Sequence, residues 1–195
     1  DKYSRLKMVM AVGVVMGLHA AYEVFVGGTV INLDIILTYL PVSILYILSM
    51  AMGYVGLRYI ELSISSPICN SSGALVAVLA ILFDGIAGYS PLALFAVALV
   101  CVGAVGLGVV EAREDDELRI ERQKASNYKY TKSFMALAMP AAYCVLDAAG
   151  TFADSRVLEI ISRTVEDYEA SANVAYELTF LLAAVVCFVY VVLIK

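Results

Sequence analysis

The sequence holds a single histidine, His19, and none of the patterns that would make it catalytic in a familiar way. HExxH, a Walker loop and GxSxG are all missing, which removes zinc peptidase, nucleotide-hydrolase and serine-hydrolase templates. Cysteine is sparse too. Cys69, Cys101, Cys144 and Cys187 stand far apart, without metal-ligand spacing, and read as small buried hydrophobes. No metal and no cofactor is therefore expected. Charge is also scarce, at 16% of residues against about a quarter in an ordinary globular domain. With a formal net charge of −5, no nucleic-acid partner is expected.

Apolar residues fill the space instead, at 62% of the chain with a mean hydropathy of +0.87. The windows 35–57, 62–83 and 85–110 carry no charge, and each is long enough for the roughly 20 residues a bilayer span needs. Three more, 6–25, 134–152 and 174–194, are each interrupted by one acid: Glu23, Asp147 and Glu177. The apolar positions run continuously rather than alternating, which disfavours a barrel. A soluble protein would have too little polar surface to cover six such runs. The expected fold is an all-α integral membrane protein, a bundle of six transmembrane helices with the lipid bilayer as its first partner.

Six spans sort the cations unevenly: of thirteen Lys and Arg, only Arg156 and Arg163 fall on one side. The positive-inside rule then places both ends and the 111–132 segment in the cytoplasm. That segment, with six acids and six bases, reads as a solvated linker between four helices and two. On the opposite, acidic side, 154–172 is expected as a loop containing a short surface helix. Two glycine patterns, Gly13 with Gly17 and the "GAVGLG" of 103–108, are expected to mark close helix packing.

Two polar constellations stand out against this apolar background. The first is "LSISSPICNSSGALV", 62–76, where Ser66, Asn70 and Gly73 share one helical face and Pro67 removes a backbone donor. Asn70 lies about 12 Å from Leu62 along a helix at ~1.5 Å per residue, near the midplane of a ~30 Å core. Pro-interrupted polar helices at that depth are where secondary transporters bind substrate. With Ser71, these residues form the expected substrate-binding set, and Pro67 the expected kink. The second constellation is Glu23, Asp147 and Glu177, all expected near the acidic face. Intramembrane acids usually face a bundle interior or an aqueous cavity. His19 stands four residues before Glu23 and can meet it. On the fifth helix Pro140, Tyr143, Asp147 and Gly150 share a face, a second kink beside an acid. Glu23, Asp147 and His19 are the expected coupling or cation site, whereas Glu177 reads as an interfacial residue of the aromatic belt.

The block 39–82, "YLPVSILYILSMAMGYVGLRYIELSISSPICNSSGALVAVLAIL", resembles the third-to-fourth-helix region of the drug/metabolite transporter superfamily, EamA type. Gly53, Tyr54, Leu57, Arg58, Tyr59, Ser66 and Pro67 match its pattern, and 91–110 is similar to its glycine-bearing fifth helix. The resemblance covers roughly 37–110. It implies a ten-helix carrier of two inverted five-helix repeats in a bacterial plasma membrane. Residues 1–110 would be the first repeat with four helices, 111–132 a charged linker, and 133–195 the start of the second repeat with two. A homodimer or another chain segment would supply the helices lacking from that plan. The family topology places 111–132 outside, against the charge count. The implied function is secondary transport of small metabolites or drug-like, cationic solutes, not catalysis, with Tyr54 of the matching motif joining the substrate set. Tyr143, beside Asp147 and outside the resembling block, is expected in it as well. A membrane-embedded enzyme using the same carboxylates, or a non-catalytic helper subunit, is the alternative.

Overall fold

A computed structural model describes residues 4–113, 115–122 and 134–193. Among them every regular element is helical: α1 (Ser4–Tyr22) running into a π-helical turn (Glu23–Gly27), α2 (Leu33–Gly56), α3 (Leu62–Cys69), α4 (Ser72–Asp84), α5 (Pro91–Arg113), α6 (Asp116–Arg122), α7 (Phe134–Ile161) and α8 (Tyr168–Leu193). Six helical stretches are long and apolar enough to cross a membrane: Leu6–Gly27, Leu33–Gly56, Ile64–Asp84, Pro91–Val110, Phe134–Ile161 and Tyr168–Leu193. A helix satisfies its own backbone, the condition for standing in lipid. The protein is thus a helical membrane protein of six candidate spans. Of the 111–132 linker, α5 claims the first residues and α6 the next, while 114 and 123–132 lie outside the described residues.

Local chemistry sets the boundaries. Asn32 caps α2, its Oδ1 accepting the Ile35 N–H at 2.9 Å. α5 begins at Pro91, as the resemblance over 91–110 implies, and not at the start of the charge-free window at 85, because Ser90 Oγ caps Ala93 N–H at 3.2 Å and proline suits the first helical position. Gly85, at φ 88°, ends α4 in a backbone conformation that side chains resist. The 154–172 loop is not a loop over most of its length. α7 continues to Ile161 and α8 starts at Tyr168. The hydroxyls of Ser162 and Thr164 close the end of α7 by donating to Glu159 and Ile161 carbonyls at 2.9 and 2.8 Å.

The residues form two compact units, Asp1–Ile47 with Gly150–Lys195, and Leu48–Ala149, so the division cuts α2 and α7 rather than falling in the linker. In the first unit α1 lies against α8. A Cβ on Gly13 would collide with Ala184 and stand 2.8 Å from the Phe180 carbonyl, and one on Gly17 would stand 2.7 Å from Leu181. Small residues here let two backbones approach, as expected. Ile35, Tyr39, Val42, Ile161, Ala172 and Ala175 form this unit's buried cluster. In the second unit α3, α4 and α5 pack with the first half of α7. Glycines 103, 106 and 108 of α5 meet nothing within 4 Å, so the "GAVGLG" pattern does not mark a close helix contact.

Candidate functional site

The polar stretch 62–76 is two helices, not one kinked helix. α3 ends at Cys69, two residues after Pro67, and α4 starts at Ser72. Pro67 offers no N–H to the carbonyl of residue 63, which weakens the turn. The Asn70 N–H still reaches the Ser66 carbonyl at 2.9 Å, but the Ser71 N–H turns to Ile68 O at 3.2 Å. Tightening to i→i+3 bonds ends the α-helical register there. Asn70 Nδ2 donates to Ser66 Oγ at 3.1 Å, leaving its second N–H and its carbonyl oxygen for other partners. The buried Ser71 hydroxyl donates to Ile68 O at 2.6 Å and lies 3.4 Å from Cys144 Sγ on α7.

Two open clefts flank this break within the second unit. One, of about 300 Å³, is lined by apolar side chains with Ser71, Cys101 and Cys144 among them. The other, of about 340 Å³, is lined by Pro67, Asn70, Ser71, Gly103 and Leu107. Gly103 and Gly108 of α5 border these spaces, so an absent side chain there leaves room beside the break rather than joining two helices.

The remaining expected substrate residues are nearby in sequence or structure. The Tyr143 ring covers Gly53, where a Cβ would stand 3.0 Å from Tyr143 Cδ2. Tyr54 is half-buried one residue further along α2, and neither tyrosine lines the two clefts. Arg58, from the same motif, stacks over the Tyr59 ring at 5.9 Å where α2 has ended. Pro140 is fully buried, and α7 remains one helix through it.

Asp147 is not near the end of its helix. It is the fourteenth residue of the 28 in α7, one turn beyond Cys144. Because α7 runs to Ile161, the acid lies mid-helix. Its carboxylate acts electrostatically on Cys69, Tyr143 and Cys144.

Glu23 and His19 are in the other unit, and their close partner there is Glu177. His19 Nδ1 stands 2.9 and 3.0 Å from the two Glu177 carboxylate oxygens, and its Nε2 3.7 Å from Glu23 Oε1. The Glu177 side chain is only 13% exposed and faces His19 of α1. Sequence reasoning missed this pairing because α8 starts six residues earlier than the expected 174. It also missed a hydrogen-bonded set along α2 and α7, in which Tyr39 donates to Asp154 Oδ1 at 2.7 Å and Tyr46 to Thr151 Oγ1 at 3.1 Å. The spacing 39, 46 was visible as one helical face, but nothing in it named the partners.

Among the described residues no group of three or more His, Cys, Asp or Glu side chains could hold a metal ion. Compared with models of protein families, with curated proteins and with solved structures, the chain finds no match.

Proposed function

We propose that the protein is a secondary carrier of small solutes in a bacterial plasma membrane. The observation that carries this reading is the break at Asn70 and Ser71, inside the candidate span Ile64–Asp84. Irregular backbone at membrane depth persists where it is buried in protein or lines a cavity, and this break borders two open clefts. Discontinuous helices of this kind hold substrate in secondary transporters. The resemblance of 37–110 to EamA-type transporters supports the same reading.

The substrate class follows from the lining. An apolar cleft on one side of Ser71 and the Asn70 amide on the other suit a solute with an apolar body and a hydrogen-bonding group. Asp147, mid-helix and one turn from Cys144, favours a cationic group in that solute. Ser66 and Ser71 shape the break, while Tyr143 on Gly53 and the neighbouring Tyr54 brace the α2–α7 contact beside it. His19 and Glu23 belong to coupling.

Flux into proteoliposomes tests this, using radiolabelled small metabolites and fluorescent organic cations. Protein-dependent uptake of at least one solute is expected. Asn70→Leu should lower it about tenfold or more, equivalent to ~1.4 kcal/mol for one lost hydrogen bond. Folded protein without flux for any solute, or an unaffected Leu variant, would overturn the carrier or return Asn70 to a packing role, respectively.

A further inference from the structure

The contact between His19 and two carboxylates has a chemical consequence independent of any substrate. An ionised carboxylate only accepts hydrogen bonds, and a neutral imidazole has one donor nitrogen and one acceptor. His19 presents Nδ1 to Glu177 at 2.9 and 3.0 Å and Nε2 toward Glu23 at 3.7 Å. A neutral ring would therefore set a lone pair against one of two negative charges. An imidazolium donates from Nδ1 to Glu177 and places its positive charge 3.7 Å from Glu23 Oε1, an ion-pair distance rather than a hydrogen bond. Glu177 from α8 and Glu23 from the π-helical turn are the charged groups that act on this ring among the described residues.

The surroundings hold the carboxylates in place. Glu23 Oε2 accepts from Thr29 Oγ1 at 3.3 Å. A Cβ on Gly27 would stand 2.7 Å from that same oxygen, so glycine makes room for the carboxylate. Glu23 opens the π-helical turn, whose kind recurs at functional sites, and its carbonyl accepts the N–H groups of Gly28 and Thr29. Glu177 is 13% exposed and His19 57% exposed, so the ring has an open edge while its main partner is enclosed.

We propose that His19, Glu177 and Glu23 form a proton-binding site in which the imidazole carries the exchangeable proton. Uptake of one proton changes the three groups from a net charge of about −2 to about −1. Release returns the ring to its neutral form. Glu177 is the positioning residue, and Glu23 the second negative charge, 3.7 Å from Nε2. Only the use of this proton to drive transport rests on the carrier reading.

The test exploits the chain's single histidine, which gives one set of ring signals on ¹⁵N-histidine labelling. Solid-state NMR of the full chain in lipid bilayers should show both nitrogens protonated at about pH 7, where a free histidine is mostly neutral. Glu177→Gln should lower the ratio of doubly protonated to neutral ring about tenfold, the lower end of what an opposite charge within ~4–6 Å supplies. Glu177→Asp should restore part of it. A ring that is neutral at that pH and unchanged by Glu177→Gln would overturn the site. The NMR needs no substrate, so failure of the carrier reading would leave a positive result standing. A neutral ring would sink the proton site and leave flux untouched.

Discussion

Glycine in this protein means two opposite things, and only its neighbours tell them apart. Gly13 and Gly17 have no room for a side chain, because α8 occupies it, whereas Gly103, Gly106 and Gly108 face open space. Gly17→Val should therefore destabilise the protein by about 1–3 kcal/mol through overpacking. Gly106→Ala should be neutral or stabilising by up to ~1 kcal/mol, because alanine is the better helix former. Denaturant unfolding in mixed micelles would measure both. Equal costs at the two positions would show that the α1–α8 contact contributes nothing special. The same distinction applies to acids. Glu23 and Glu177 share one histidine, whereas Asp147 is in the middle of α7 in the other unit.

At the scale of the element, the break between α3 and α4 is the decisive departure from a plain membrane helix. Two local features meet there: Pro67 withholds a donor from the carbonyl of residue 63, and four residues on the Ser71 N–H bonds the Ile68 carbonyl in a tighter turn. Pro67→Ala would return the missing N–H to the carbonyl of residue 63. Amide hydrogen exchange across 67–71 is expected to slow, with stability no lower than that of the parent. In the carrier reading, exchange between inward- and outward-facing states should slow as well. Unchanged amide exchange would mean that the break is held by Asn70, Ser71 and Cys144 rather than by proline. Helix ends were the least legible feature at this scale. α7 runs nine residues past its expected end and α8 begins six before its expected start, which puts Asp147 mid-helix and Glu177 ten residues into α8. Apolar periodicity marks the middle of a span, but polar residues beyond it stay helical when side chains such as Tyr39 hold them, as it does Asp154.

For the molecule as a whole, the open question is orientation, since the charge count and the transporter resemblance disagree about 111–132. Eleven of thirteen cations fall on one side when six spans alternate. Such a bias sets orientation when it lies in short loops near the spans. A cysteine introduced in 111–132, in a variant with the native cysteines replaced, should therefore be labelled only from the cytoplasmic side. Labelling from outside would reverse the chain and favour the EamA-type plan.

Composition and pattern together pointed to helices in lipid, because six continuous apolar runs of bilayer length suit helices that satisfy their own backbones and lack the alternation of a barrel. Short-range chemistry also determined that 62–76 would be irregular, since proline's missing donor acts on its own turn. Which polar groups meet was decided only by tertiary structure. His19 and Glu177 are 158 positions apart, and Tyr39 and Asp154 are 115 apart. Sequence spacing fixes which face of a helix a residue takes, but not which helix that face will meet. That choice belongs to packing, where the small side chains of α1 bring α8 close enough for one histidine to reach a carboxylate on it.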